Sequence, residues 1–230
     1  MYHIKPLATK DGSYTLFNTN FNQTYHSIYG AMSESMHVFI RNGLMYMAEK
    51  CGSITLLEVG LGTGLNALLT YKMAVEKNIQ VHYTAIEPFP IDTDTARLLY
   101  VSKSSDENDL SNNFLKMHYS HSGELISLHK NFSFQKYITT LENFTSPLLF
   151  DLIYYDAFSP GAQPEMWAVD AFEKIRSCMC KDATLVTYCA KGSVKRILKA
   201  LNFTIESLPG ANGKREMIRA IKKAAPEDAA

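Results

Sequence analysis

The stretch Ile54-Thr55-Leu56-Leu57-Glu58-Val59-Gly60-Leu61-Gly62-Thr63-Gly64-Leu65-Asn66 constrains this chain more than any other. Its first half is β-branched and apolar, with no charge before Glu58, and reads as a buried strand. Three glycines at spacing two follow, and Leu65 to Val75 then places apolar residues at helical spacing. Strand, glycine turn and helix make the mouth of a nucleotide-type ligand site. Gly60 and Gly62 let the backbone turn sharply and let a ligand approach where a Cβ would stand. The helix start adds free N–H groups and partial positive charge.

The spacing separates two ligand classes. A dinucleotide fingerprint places its third glycine three residues after the second, and here it comes two after. A carboxylate at the strand end, Glu58, sits badly beside a pyrophosphate and suits a cationic group. S-adenosylmethionine carries an ammonium and a sulfonium and no phosphate. The next apolar run, Val81 to Ile86, ends at Glu87, a carboxylate placed to accept both hydroxyls of a ribose. Glu58, the glycines and Glu87 together favour a methyl donor over a dinucleotide.

The length, 230 residues, suits one sizeable α/β domain with a small appendage. With 46% hydrophobic and 20% charged residues the chain reads as globular. No run approaches the roughly 18 apolar residues of a membrane helix, and Met1 to Pro6 lacks the apolar core of a secretion signal. Cys51, Cys178, Cys180 and Cys189 show neither zinc nor redox spacing, so reduced thiols in a cytoplasmic protein and no metal site are expected. The zero net charge hides an asymmetry. Residues 1–171 hold 11 Lys/Arg against 17 Asp/Glu, a net −6; residues 172–223 hold 12 against 4, a net +8. A basic half fits an anionic partner on one side, or an ordinary solvated face.

Read in order, residues 1–50 form an extension: a β-hairpin of strands 14–19 and 24–29 around Asn-rich turns, then a helix over 33–50 capped by Ser33 and weakened by Gly43. Residues 51–223 alternate strands and helices, which gives a doubly wound, mostly parallel seven-stranded sheet with helices on both faces. Strands are expected at 54–59, 81–87, 125–129, 148–155, 183–188, 203–208 and 216–221. Helices are expected at 65–75, from Ile91 or Asp92 to Val101, at 114–123, 135–143, 164–180 and 193–201, with a loop over 102–113 and a frayed tail over 224–230. The last two strands lack a helix between them, so one of them runs antiparallel.

A second chemical stretch, Asp156-Ala157-Phe158-Ser159-Pro160-Gly161-Ala162-Gln163-Pro164-Glu165-Met166-Trp167, follows the fourth strand. Ligands of open α/β sheets bind beyond the carboxyl ends of strands at the switch point, which strands one and four flank. Asp156 is therefore expected to face the crevice of Gly60 and Gly62. There a carboxylate can hold an amine acceptor and take its proton; the alternative is a turn cap. Phe158 and the two prolines make a stiff apolar wall suited to stacking a base. Trp167 is expected in the core.

These motifs, with Lys214-Arg215-Glu216-Met217 and the segments Tyr25-His26-Ser27 and His37-Val38-Phe39, resemble the bacterial tRNA wobble-uridine methyltransferases over about residues 20–220. That family makes 5-methylaminomethyl-2-thiouridine from the 5-aminomethyl precursor, and in some bacteria the domain is fused to a flavin-dependent oxidoreductase. The resemblance implies a Rossmann-like class I methyltransferase using S-adenosylmethionine, acting on the tRNA anticodon arm, with a separate oxidoreductase upstream. Residue by residue it implies that Glu58, Gly60, Gly62, Gly64 and Asn66 line the donor, that Glu87 takes the ribose, and that Asp156 orients the aminomethyl group and accepts its proton. The family's acidic residue after the third strand is replaced here by Asn131-Phe132-Ser133-Phe134-Gln135, which leaves adenine to Ser133 or backbone groups. Lys191, Lys195, Arg196, Lys199, Lys214 and Arg215 are the candidates for tRNA phosphate contacts. The rival readings are a small-molecule methyl- or aminopropyltransferase and a non-catalytic tRNA-binding protein.

Overall fold

A computed structural model describes residues 4–99 and 108–223. The helix expected to reach Val101, the loop residues 102–107 and the tail 224–230 lie in whole or part outside them. The N-terminal part is a three-stranded antiparallel sheet, β1 (Ile4–Ala8), β2 (Tyr14–Asn18) and β3 (Gln23–Thr24). It holds one strand more than the expected hairpin, and its last strand is only two residues long. Helix α1 (Ala31–Ser35) runs without a break into a π-wound stretch (Met36–Met45) and a final turn, α2 (Tyr46–Ala48). Gly30, at φ 149°, occupies the N-cap position expected for Ser33. Gly43 lies where a Cβ would meet Tyr154 and Val186 at 3.0 Å, so the helix gives up propensity there to lie close on the sheet.

The main body follows as β4 (Ser53–Val59), α3 (Leu65–Lys77), β5 (Gln80–Ile86), α4 (Thr93–Leu99), α5 (Asn108–Tyr119), β6 (Leu125–His129), β7 (Phe132–Tyr137), β8 (Phe150–Tyr155), α6 (Val169–Ser177), β9 (Met179–Thr187), α7 (Gly192–Ala200), β10 (Phe203–Pro209) and β11 (Glu216–Lys222). Its sheet has eight strands in the order β10-β11-β9-β8-β4-β5-β7-β6. β4 pairs in parallel with β5 and β8, β5 with β7, and β8 with β9. β11 is antiparallel to both β9 and β10, as the missing crossover helix requires.

Period-two alternation divides the core into two layers. Leu56, Leu152 and Tyr154 face one side with Phe39, Leu44 and Phe132. Leu57, Ile153 and Tyr155 face the other with Phe172, Ile175 and Leu198. Both faces of the central strands are covered, which is why they read as nearly continuous apolar runs. Among the described residues no helix is long and apolar enough to cross a membrane, and no metal-binding group of three or more ligand residues occurs.

Three expectations are corrected. β6 is an antiparallel edge strand, and the parallel neighbour of β5 is β7, where a helix over 135–143 was expected. Residues 108–113 are helical, the first half of α5. The helix expected over 164–180 is a 3₁₀ turn at Pro164–Trp167, an extended break at Ala168 (φ −81°, ψ 167°), and then α6.

Candidate active site

β4 and β8 end side by side, and the chain leaves them in opposite directions, which opens a crevice at their carboxyl edge. Gly60 follows β4 with φ 88°, a conformation that L-residues seldom adopt. A Cβ there would stand 2.8 Å from the Asp156 carbonyl oxygen, so the two strand ends approach as closely as they do only because residue 60 is glycine. The Asp156 N–H donates to the Val59 carbonyl at 3.0 Å, locking the ends together. At Gly62 (φ 51°) a Cβ would meet the Tyr25 ring at 2.9 Å. Gly64 is the left-handed N-cap of α3, packed on His118 and Phe114.

The cleft has a volume of about 1330 Å³, and Gly60, Gly62, Glu87, Asp156 and Phe158 all line it. Glu87 accepts the Gly62 N–H at 2.9 Å through one oxygen and the Phe89 N–H at 2.9 Å through the other. Burial pushes its carboxyl above the usual range. Each oxygen keeps a lone pair for a further donor.

Glu58 lies elsewhere than expected. It is completely buried, and its oxygens accept from the Asn66 side-chain amide at 2.9 Å and the Tyr83 hydroxyl at 2.8 Å. It stands behind the cleft wall, and burial holds its carboxyl well above the ordinary value. Asn66, 2% exposed, donates its other amide hydrogen to Asp156 at 2.8 Å. Glu58 therefore reaches the cleft through Asn66, as an orienting group beneath it. The Asn66 Oδ1 is buried without a hydrogen-bond partner among the described residues. Asp156 is pushed up to about 7, first by burial; the Asn66 hydrogen bond and Lys214 lower it, and Glu34 raises it.

The N-terminal segment covers one side. The Phe158 ring stands 4.6 Å from Phe21 and 5.0 Å from Tyr25, centroid to centroid. Gln23 donates to the Ser159 hydroxyl at 2.6 Å and accepts the Ser159 N–H at 3.3 Å. The stiff apolar wall expected at Phe158 is built as a three-ring cluster with Phe21 and Tyr25. Trp167 is core, 5% exposed, and donates to the Phe158 carbonyl at 2.7 Å.

Ser133 does not reach the site. It lies in the first half of β7, pairs with His82 across the strand and hydrogen-bonds that imidazole at 2.8 Å. β7 ends at Tyr137, and the residues that line the cleft after it are Thr139 to Glu142. Glu142, five residues beyond the end of β7, is the carboxylate among them.

The basic candidates divide. Lys191, Arg196, Lys199 and Arg215 are exposed. Lys195 is tied to Glu216 at 2.5 Å and to Ser207 at 2.8 Å. Lys214 is tied to buried Glu34 at 2.5 Å and lines the cleft itself. Nothing in the sequence around Glu34 marks it as a site residue, because its partner lies 180 positions away.

A strand-end glycine cradle that a Cβ would fill, an orphaned amide oxygen beneath it and a carboxylate on the second strand fit S-adenosylmethionine. The fold and site define a class I S-adenosylmethionine-dependent methyltransferase. A family model described as S-adenosyl-L-methionine-dependent methyltransferase matches residues 118–223. The chain is 30% identical over 227 residues to the tRNA 5-methylaminomethyl-2-thiouridine biosynthesis bifunctional protein MnmC of Cupriavidus metallidurans, covering 93% of this chain and 33% of that protein. It is 29% identical over 218 residues to the protein of the same name from Idiomarina loihiensis, covering 87% and 36%. The chain thus spans about a third of the length of the curated relatives it matches. The crystal structure of MNMC2 from Aquifex aeolicus superposes with a TM-score of 0.78 over 98% of this chain and 72% of that one, at 23% identity, and shows the same fold. Over most of its length the chain is thus similar to one part of the MnmC proteins.

Proposed function

We propose that the chain methylates the 5-aminomethyl group of a tRNA wobble uridine, giving 5-methylaminomethyl-(2-thio)uridine. The observation that carries this reading is Asp156, a cleft-lining carboxylate at the β8 end, one hydrogen bond from Asn66 and poised near neutrality. Bound S-adenosylmethionine supplies a methyl group on a sulfonium, so that the N–C bond forms while the C–S electron pair stays on sulfur. An alkylammonium has no lone pair, so the acceptor must first lose a proton. Asp156, with a pKa near the operating pH, is suited to take it. Asn66 holds the Asp156 carboxylate toward the cleft; Gly60 and Gly62 give the donor its backbone approach, and Glu87 takes the ribose. Thr139 to Glu142 replace Ser133 on the adenine side. The Phe21–Phe158–Tyr25 rings offer an apolar face to the base, and the exposed Lys191, Arg196 and Arg215 meet phosphates. The names of the relatives, which describe bifunctional proteins of tRNA 5-methylaminomethyl-2-thiouridine biosynthesis, support this substrate. The proposal includes an upstream flavin-dependent oxidoreductase as source of the amine and a cytoplasmic setting.

The test is transfer of labelled methyl to tRNA carrying 5-aminomethyluridine, with tRNA lacking that group as control. Asp156→Asn is expected to retain donor binding by calorimetry and to lose about 10²–10⁴-fold in turnover. Equal labelling of the two tRNAs, or full turnover by Asp156→Asn, overturns the proposal.

A further inference from the structure

Lys214 has the sequence setting of a surface lysine, beside Arg215 in the turn between β10 and β11. The structure holds it differently. Its loop is fastened to the start of α1: the Asn212 amide donates to the Gly30 carbonyl at 2.9 Å and accepts from the Ser33 hydroxyl at 2.8 Å. The Lys214 N–H closes the turn on the Ala211 carbonyl at 2.9 Å. Its ammonium then meets Glu34 at 2.5 Å and stands 4.9 Å from the centre of the Tyr188 ring. Glu34 is 7% exposed and spends its second oxygen on the Ser27 N–H at 2.9 Å. The Tyr188 hydroxyl donates to the Ala157 carbonyl at 2.8 Å, next to Asp156. Glu34, Lys214, Tyr188 and Asp156 all line the one cleft.

A lysine that seeks phosphate needs a free, extended side chain. This one, although 43% of its side chain is exposed, has its ammonium paired with Glu34 and placed over the Tyr188 ring at the rim of the cleft. We propose that Lys214 is a positioning residue for the acceptor end of the cleft: anchored by Glu34 and Tyr188, it keeps Asp156 ionisable and does not bind tRNA phosphate. The inference rests on the reading of Asp156 as the group that accepts the acceptor's proton. The groups that face Asp156 are Asn66 from α3, Glu34 from α1, Lys214 from the β10–β11 turn and Tyr188 after β9, with Glu58 and Tyr83 in the layer beneath. Lys214 is the one cation among them. The two carboxylates and one ammonium leave a single net negative charge when Asp156 is ionised, which matches one incoming alkylammonium.

The experiment is a carboxyl ¹³C NMR titration of aspartate-labelled protein, with Asp156→Asn identifying the resonance. Lys214→Met is expected to raise the Asp156 titration by about one unit, and Lys214→Arg to return it. Glu34→Gln is expected to lower it. Opposite displacements exclude a general loss of packing, which would move both variants the same way. The acid limb of kcat/KM should follow the titration, and the salt slope of tRNA binding should not change in Lys214→Met. An unmoved Asp156 titration, or a salt slope smaller by about one, makes Lys214 a phosphate contact and overturns the proposal. If wild type transfers no methyl to aminomethyl-tRNA, the proposed substrate falls, while the NMR shifts still decide the role of Lys214.

Discussion

At the scale of single residues, the site is organised by one amide. Asn66 donates to Glu58 and Asp156 at once, so two carboxylates share an NH₂ group. Glu58 is locked in the buried layer and favoured as the neutral acid; Asp156 is held at the cleft with its titration near neutral pH. Asp156 also sets a sign for stability. Its folded-state pKa is about 7 and the ordinary value is 3.8, so between them the native state binds the extra proton. The stabilisation is fully present below the lower value and is lost as pH rises through 7. The contribution of Asp156 to the thermal midpoint, read as wild type minus Asp156→Asn, should therefore fall as pH rises towards 7. Buried His26 and His118, held down to about 4, make stability rise with pH over part of this range, so the difference is the test; a difference that rises towards pH 7 would contradict the assignment. Burial raises the Tyr188 hydroxyl well above its usual value, so it stays neutral across the same window.

At the scale of elements, the glycine turn after β4 is the joint between strand, helix and acceptor loop. Gly60→Ala forces φ 88° on an L-residue and drives a Cβ to 2.8 Å from a backbone oxygen. It should cost about 1–3 kcal/mol in urea unfolding and weaken donor binding. Gly52→Ala, where a Cβ meets open space, should leave both near wild type. The β4-turn-α3 unit and the carboxyl-edge position of Asp156 were legible because they depend on local chemistry: an apolar run, glycines and a helical period. The β6–β7 hairpin was not. β7 alternates Phe132, Phe134 and then Lys136 on its buried side, and a buried lysine looks like the end of a strand. Its ammonium is satisfied by the Met117 and His118 carbonyls at the end of α5, a partnership no local pattern shows. α5 was hidden in the same way, since buried Asn113 donates to the Tyr71 hydroxyl and breaks the apolar stripe. With the third strand misplaced, Ser133 was expected at the cleft, whereas the residues that line it beyond β7 are Thr139 to Glu142.

At the scale of the molecule, the basic half is real as composition but uneven as surface. Lys195 and Lys214 are paired with Glu216 and Glu34, Lys214 remaining exposed, and Lys191, Arg196 and Lys199 are exposed on or beside α7. The affinity for tRNA should fall steeply with salt, and Lys191→Gln combined with Arg196→Gln should reduce the log–log slope by about 1.5. Lys195→Gln should change it little. A flat salt dependence in wild type would favour a small-molecule acceptor. The chain contains a single tryptophan. Trp167 is packed edge-on against Tyr155 and Tyr188 and fastened to the carbonyl of Phe158. All indole fluorescence thus originates directly behind the Phe158 wall of the cleft, so a ligand that shifts this wall should change the emission, and the protein would carry its own optical gauge of occupancy with no dye to attach.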